Sequence, residues 1–254
     1  MTTFKQFITE AHKSSISVEE AITLLNSSCS DAMSNRKLRI QPILRGSMEP
    51  GNNSCFVYHG ESSSRTSRHG KNFYTVILDE VLTDYPKRSK SIICGNFANK
   101  KHVLNYAKSH PLTGEVTGTL YAIIPFDGVQ IGVCPEHDMW DTPITMVGET
   151  HDAHDWNELF EYFDVVDTSF EALVSSLEAA VRNGKEIKGY WGTRTIKKFA
   201  NVNIREEIIR GYSAANFSLA TTADAGKITA SWPREVWISG KCVAIPLSIY
   251  QEYL

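Results

Sequence analysis

The apolar residues of this chain come in short runs that are separated by turn residues. The longest runs, among them residues 120–125 and 243–249, are far shorter than the roughly 20 residues that a membrane-spanning helix needs. The runs at 118–125 and 129–134 are bounded by glycine, proline and aspartate, which is typical of β-strands. We therefore predict a soluble, strand-rich fold without a transmembrane helix.

The composition is that of an ordinary globular protein. The chain has 254 residues, 42% of them hydrophobic and 22% charged, which suits one large domain or two small ones. Its formal charge of −3 lacks the basic excess of a protein that coats nucleic acid. The five cysteines are scattered and form no C-x-x-C pair, so we expect neither a disulfide framework nor a zinc ribbon. We expect the protein to work in a reducing compartment.

Helix signals lie on both sides of the strand-rich middle. Ser17 and Glu20 form a capping box ahead of an apolar stripe at helical spacing. A second stripe, over residues 170–181, follows Thr168, which we expect to be its N-cap. A shorter helix is predicted around 102–108. Helices therefore flank the strands.

The strands are predicted at the apolar runs and at their turn signals. Residues 37–44 are β-like, and residues 91–94 form a short apolar run. Two pairs of strands are expected across tight turns: residues 118–125 with 129–134 across Asp127 and Gly128, and residues 234–238 with 241–245 across Ser239 and Gly240. Together with the helices, this pattern predicts an α+β fold.

The first ten residues differ from the rest of the chain. Phe4, Phe7, Ile8 and Ala11 recur at helical spacing, which indicates either a helix that binds in a partner's groove or the first helical turn of the fold. Residues 1–10 also resemble the capsid-targeting peptide of T-even-type phage internal head proteins. Those peptides begin Met-x-Thr-aromatic-x-x-Phe-Ile-x-Glu and are cut after a Leu/Ile-x-Glu triplet.

That resemblance has consequences for processing and location. The triplet here is Ile-Thr-Glu at residues 8–10, which implies cleavage between Glu10 and Ala11 by a phage prohead protease. Residues 1–10 would then bind the prohead scaffold, and the protein would reside in the phage head before entering the host bacterial cytoplasm. Residues 11–254 would form a single domain with a helical insertion around 137–210.

Three short motifs are spread over the remaining chain. They are Ile-Leu-Arg-Gly at residues 43–46, Ser-Ile-Ile-Cys-Gly-Asn at 91–96, and Pro-Arg-Glu-Val-Trp-Ile-Ser-Gly at 233–240. In this order they resemble the motifs of the Arg/Ser/Glu class of mono-ADP-ribosyltransferases. The resemblance implies a split β-core of ADP-ribosyltransferase type with flanking helices. It also implies an NAD-dependent glycosyltransferase that transfers ADP-ribose to a host macromolecule.

The first two motifs would bind NAD. A guanidinium makes forked, charge-assisted bonds to pyrophosphate and ribose oxygens, so the resemblance assigns NAD binding to Arg45 with Gly46. Ser91, or Ser89 just upstream, would orient the nicotinamide ribose, and Cys94 would lie beside the cofactor. The family usually has Ser-Thr-Ser where this chain has Cys-Gly-Asn.

The third motif would supply the catalytic carboxylate. Cleavage of the bond between nicotinamide and ribose builds an oxocarbenium-like cation, which a nearby carboxylate stabilises, and Glu235 is the candidate. The catalytic set is then Glu235, Arg45 and Ser91. Pro233 stands where the family has a residue that activates an arginine acceptor, so another side chain, a nucleic acid or water stays open as the acceptor.

Other functions compete with this one. Histidines and aspartates between residues 151 and 155 offer metal ligands, but Asp155 is better explained as a helix N-cap, and we predict no metal. The Tyr-His-Gly at 58–60 resembles the first motif of the His/Tyr/Glu transferase class, and Arg205, Glu206 and Glu207 offer rival carboxylates on an amphipathic helix. Two alternatives come from other functional classes. One is a non-catalytic injected protein that inhibits a host defence or transcription factor, and the other is a capsid-filling structural protein.

Overall fold

The structure, a computed structural model, describes eleven stretches of the chain. They are residues 12–50, 54–60, 73–107, 118–135, 137, 169–183, 186–189, 192–195, 201, 203–213 and 217–254. The chain divides into two compact units. The helical unit contains Met1–Ile8, Thr66–Asp84 and Met139–Ala215, and the sheet unit contains Thr9–Arg65, Tyr85–Asp138 and Asn216–Leu254.

The described residues form both helices and strands. The helices are α1 (Val18–Ser28), α2 (Ser30–Ser34), α3 (Arg36–Ile40), α4 (Phe73–Val81), α5 (Lys100–Tyr106), α6 (Phe170–Arg182), α7 (Ile204–Ser213), α8 (Ala225–Ile228) and α9 (Leu247–Tyr253). The strands are β1 (His12–Ile16), β2 (Ile43–Pro50), β3 (Cys55–His59), β4 (Ile92–Gly95), β5 (Gly118–Pro125), β6 (Ile131–Val133), β7 (Glu186–Gly189), β8 (Gly192–Thr195), β9 (Ser218–Ala220), β10 (Glu235–Ile238) and β11 (Lys241–Pro246). Short 3-10 turns lie at Arg88–Lys90, Phe97–Asn99 and Thr222–Asp224.

The helical unit holds α4, α6, α7 and the antiparallel pair β7 and β8. Helix α6 begins after Ser169, whose hydroxyl accepts a hydrogen bond from the Ala172 N–H, so its N-cap lies one residue beyond the predicted Thr168. This unit coincides in large part with the helical insertion predicted at 137–210, and that prediction of a single domain with an insertion stays a prediction.

The sheet unit is built on one large antiparallel sheet. Its strand order is β1-β3-β11-β5-β2-β4-β10-β6-β9, and every pair is antiparallel. Strands β2 and β4 are in register at one position, Leu44 opposite Gly95. We call this position the junction, because it joins five strands on one side to four on the other. The predicted α+β class is confirmed.

Local sequence signals predict helix α1 of this unit but not helix α3. The Ser17 hydroxyl accepts from the Glu20 N–H (3.1 Å) and the Ser17 N–H donates to the Glu20 carboxylate (2.8 Å), so the predicted capping box is present. The stretch predicted as β-like at 37–44 begins instead with α3. Asn35 caps that helix by accepting from the Lys37 N–H at 3.1 Å, and the strand starts only at Ile43.

Both predicted strand pairs are wrong in their pairing. Strand β5 lies between β11 and β2, whereas β6 lies between β10 and β9. The tight turn exists, with Gly128 at φ +75°, but the Asp127 carboxylate accepts from the Ser30 N–H and Oγ–H and from the Asp31 N–H. The turn residue therefore caps α2 instead of closing a hairpin.

The second pair separates in the same way. Strand β10 pairs with β4 and β6, while β11 pairs with β3 and β5. The connection at Gly240 is held by the Gly60 N–H, which donates to the Gly240 carbonyl at 3.1 Å. The chain thus crosses from one side of the junction to the other at both two-residue turns.

The two faces of the sheet bury different clusters. Face A carries residues such as Ile43, Tyr58, Cys94, Tyr121 and Val236. Face B carries residues such as Leu44, Ala122 and Val243, with α1, α5 and α9 packed over them. Since neighbouring residues of a strand point to opposite faces, each side chain at the junction has a defined face.

A Gly46→Ala substitution tests the packing of α5 at the junction. A Cβ at residue 46 would overlap the backbone oxygen of Val103 and lie 3.0 Å from the Ala107 nitrogen. Because backbone gives way less easily than a side chain, we expect the free energy of unfolding to fall by about 1–3 kcal/mol. Denaturant unfolding measures it. Gly226→Ala is the matched control, because a Cβ there meets nothing within 4 Å, and an equal loss in both variants would contradict the packing role.

Candidate active site on strands β2, β4 and β10

The three sequence motifs lie on three neighbouring strands of the sheet unit. Strand β2 carries the Arg motif, β4 the Ser motif and β10 the Glu motif, and β4 is the middle strand. Leu44, Gly95 and Glu235 are directly opposite one another in register. The fold therefore brings together segments that lie up to about 190 residues apart in the sequence.

Glu235 is buried and charge-paired. The Arg88 Nε–H donates to Glu235 Oε1 at 3.1 Å, and the side chains of Arg88 and Glu235 are only 4% and 6% exposed. The Trp237 indole N–H donates to the same oxygen at 2.6 Å. Oε1 therefore accepts one charge-assisted and one neutral hydrogen bond. We call Glu235, Arg88 and Trp237 the carboxylate cluster.

A row of aromatic rings extends from the carboxylate cluster. The Arg88 guanidinium carbon lies 6.0 Å from the centre of the Trp237 ring, and the Phe217 ring lies 5.8 Å from that ring. Tyr85 packs edge-on against Phe217 and donates its hydroxyl hydrogen to the Phe217 carbonyl at 2.7 Å. Trp237 thus connects the cluster to two further aromatic side chains.

The Ser motif shapes the turn that carries Arg88. The Ser91 hydroxyl donates to the Lys87 carbonyl at 2.7 Å, and the Ser91 N–H donates to the Arg88 carbonyl at 3.3 Å. Ser91 is buried, whereas Ser89 is half-buried within the turn itself. Both candidate serines are thus part of the segment that presents Arg88 to Glu235.

Asn96 ties the end of β4 to the loop that leads into β10. Its Oδ1 accepts from the Asn99 and Arg234 N–H groups, both at 3.1 Å. Its Nδ2 donates to the carbonyls of Ala230 (3.3 Å) and Trp232 (2.9 Å). This residue occupies the last position of the motif where the family has serine, and here it positions the start of the Glu strand.

Arg45 lies at the junction but on the other face. Its Nη1–H donates to the Ile93 carbonyl at 2.5 Å, and its guanidinium carbon lies 5.7 Å from the centre of the Tyr58 ring. Tyr58 belongs to face A, and strand alternation from Leu44 also gives face A for Arg45. Glu235 lies in register with Gly95 and Leu44 and so projects from face B. The structure does not bring Arg45 and Glu235 onto the same face.

Cys94 also lies on face A. It is buried in the apolar cluster there, near Cys242. Burial raises the pKa of the Cys242 thiol well above its usual value; Cys94 adds to this shift and Arg45 opposes it. Cys94 itself is 7% exposed among apolar side chains, so its described surroundings are those of a core residue.

The rival sites fare differently. Arg205 pairs with Glu171 on the surface, and Tyr58 and His59 lie on β3. The centre of the His137 ring lies 4.8 Å from the centre of the His102 ring. The histidines and aspartates between 151 and 155 lie outside the described residues, and so do residues 1–10. Within the described part of the chain, no three His, Cys, Asp or Glu side chains gather as a metal site.

The sequence singles out Glu235 as a candidate but does not identify the side chains that hydrogen-bond to it. The Pro-Lys-Arg-Ser-Lys stretch at 86–90 predicts a basic turn that faces phosphate or solvent, yet Arg88 is buried within it. Nothing in the sequence separates Arg88 from the exposed Lys87 and Lys90 on either side. Trp237 was visible as part of the third motif, but its hydrogen bond depends on the strand geometry.

Comparison with known proteins adds no relative. No protein-family model, no curated protein sequence and no solved structure matches this chain. No helix in the described ranges is long and apolar enough to cross a membrane. The functional inference therefore depends on the motifs and on the geometry of the junction.

An Asn96→Ala substitution tests the link between β4 and the loop before β10. It removes four hydrogen bonds of a buried side chain, so we expect the free energy of unfolding to fall by roughly 3 kcal/mol. Thermal or denaturant unfolding gives the value. Asn26→Ala is the control, because Asn26 is exposed on α1, and a change within about 0.5 kcal/mol is expected there. A similar small effect at Asn96 would show that the loop is held by other contacts.

Proposed function

We propose that this protein is an NAD-dependent mono-ADP-ribosyltransferase of the Arg/Ser/Glu class that modifies a host macromolecule. The observation that carries the proposal is the convergence of the three motif strands, which puts a buried, charge-paired Glu235 in register with the junction. A carboxylate held in place by two hydrogen-bond donors suits the stabilisation of an oxocarbenium-like transition state. The split β-core of this transferase type is part of the same proposal.

The proposed reaction is a substitution at the nicotinamide ribose of NAD. The bond between C1′ and the pyridinium nitrogen breaks, and its electron pair leaves with nicotinamide, which becomes neutral. The acceptor forms a new bond to C1′ and loses a proton to solvent, giving ADP-ribosylated acceptor, nicotinamide and H⁺. Glu235 would stabilise the positive charge that develops on the ribose.

The other predicted residues would act around that carboxylate. Ser89 or Ser91 would orient the ribose, since both lie in the segment that begins β4. Arg45 and Gly46 would bind NAD at the junction, with Cys94 beside them. The acceptor class, a protein side chain or a nucleic acid, is left open by this geometry.

The proposed location follows from the N-terminal motif. We infer that residues 1–10 direct the chain into a phage head through the prohead scaffold, and that a prohead protease removes them before the protein enters the host cytoplasm. The described fold is compatible with that cut, because β1 begins at His12, two residues after Glu10. Removal of residues 1–10 would thus leave every described strand and helix intact.

A Glu235→Gln substitution tests the proposed activity. The amide keeps the shape of the side chain but cannot neutralise a developing cation, so we expect turnover of NAD to fall by at least about 100-fold. Release of nicotinamide, with and without a bacterial lysate and biotin-labelled NAD, measures both hydrolysis and transfer. Glu178→Gln is the control, because Glu178 is exposed on α6. Equal turnover in wild type and Glu235→Gln would rule out the catalytic assignment.

The processing proposal has its own test. When the chain is co-expressed with a phage prohead protease, we expect a product whose N-terminal residue is Ala11. Intact mass and N-terminal sequencing identify the cut, and Glu10→Ala should block it because the recognised triplet is lost. An uncut wild-type chain, or a cut that persists in Glu10→Ala, would contradict the capsid-targeting assignment.

A second function is favoured by one observation. Arg45 and Glu235 project from opposite faces of the sheet. A non-catalytic injected inhibitor of a host defence or transcription factor does not require these two residues to lie on the same face. This alternative predicts that the wild-type protein releases no nicotinamide and labels nothing in a lysate. It also predicts capture of the same host protein by wild type and by Glu235→Gln.

A further inference from the structure

Two arginines lie near the junction, and only one of them shares a face with Glu235. Arg45 projects from face A and bonds the Ile93 carbonyl, whereas Arg88 donates directly to Glu235 Oε1 at 3.1 Å. We propose that Arg88 is the positioning residue of the active site, which holds the Glu235 carboxylate in the orientation that the reaction needs. This inference rests on the proposed transferase function and adds a residue that the three motifs do not assign.

Geometry argues that Arg88 acts through Glu235. Its Nε–H donates to Glu235 Oε1 at 3.1 Å, and its guanidinium carbon lies 6.0 Å from the centre of the Trp237 ring. Because this donor is directed at the carboxylate, we expect the contribution of Arg88 to substrate binding to be small.

The buried carboxylate needs such a partner. Burying a carboxylate without an ion partner costs free energy, and the Glu235 side chain is only 6% exposed. The hydrogen bond from Arg88 offsets part of that cost. The Trp237 N–H at 2.6 Å adds a second donor on the same oxygen, and two donors from different directions fix the plane of the carboxylate.

In addition to its proposed contact with NAD, Arg45 links strands on face A. Strands β2 and β4 are in register at one position, and the bond from Arg45 to the Ile93 carbonyl is a second link between them. Its contact with Tyr58 on β3 continues that link across face A. Arg45 thus supports the junction that Leu44 and Gly95 begin.

The test is a comparison of Arg88→Gln with wild type in steady-state NAD turnover and in binding of a non-hydrolysable carba-NAD. Gln keeps a donor but removes the charge. We expect kcat to fall about 100-fold, because a misplaced carboxylate stabilises the transition state poorly, while KM and the Kd for carba-NAD stay within about twofold. Trp237→Phe, which removes the N–H donor and makes the ring smaller, should lower kcat by a smaller factor with Kd again unchanged. Arg205→Gln breaks an exposed Arg–Glu pair and serves as the matched control without effect.

The outcomes separate the two proposals. A Kd for carba-NAD raised more than about tenfold in Arg88→Gln would mean that Arg88 binds NAD, and an unchanged kcat would mean that it positions nothing; either result overturns the inference. If Arg88→Gln fails to fold, Arg88→Lys, which keeps the charge, and Trp237→Phe decide it by the same kcat and Kd criteria. A wild-type protein that binds carba-NAD but never releases nicotinamide would instead overturn the proposed function.

Discussion

The absence of a side chain at Gly95 is the constraint on which the site depends. A Cβ there would lie 2.5 Å from Val103 Cγ2 and 3.0 Å from the Asn99 side chain. Glycine at this position therefore lets the turn after β4, and α5 behind it, pack closely against the strand. Gly95 is also the residue that Leu44 and Glu235 face from either side. The same position therefore joins the two parts of the sheet and sets the register of the Glu strand.

That register decides which predicted residues meet. Alternation along β2 sends Leu44 to face B and Arg45 to face A, and alternation along β10 sends Glu235 to face B and Val236 to face A. A shift of one residue in either strand would exchange these assignments. The order of the motifs in the sequence does not determine the face of each residue. The sequence of a four-residue strand does not specify its neighbouring strand or the register of their pairing.

Local structure was predictable where a short segment contains both partners of an interaction. The capping box at Ser17 and Glu20 is an example, since both groups lie within one helical turn. The turn at Asp127 and Gly128 was also found, but its pairing was not, because the Asp127 carboxylate bonds Ser30, which lies 97 residues away. The buried Arg88 belongs to the same class, since its partner lies 147 residues away.

The energetics of the carboxylate cluster favour a role beyond stability. Taking a guanidinium and a carboxylate out of water costs several kcal/mol each, and their attraction repays that cost only with good geometry and further hydrogen bonds. Apolar residues of similar size often stabilise a fold as well as a buried ion pair does. Here Arg88 is the ion partner of Glu235, and Trp237 supplies the further hydrogen bond at 2.6 Å. A fold that needed only packing at this point of β10 would gain little from such a pair, whereas chemistry at a cationic transition state requires a carboxylate that is both charged and fixed in place.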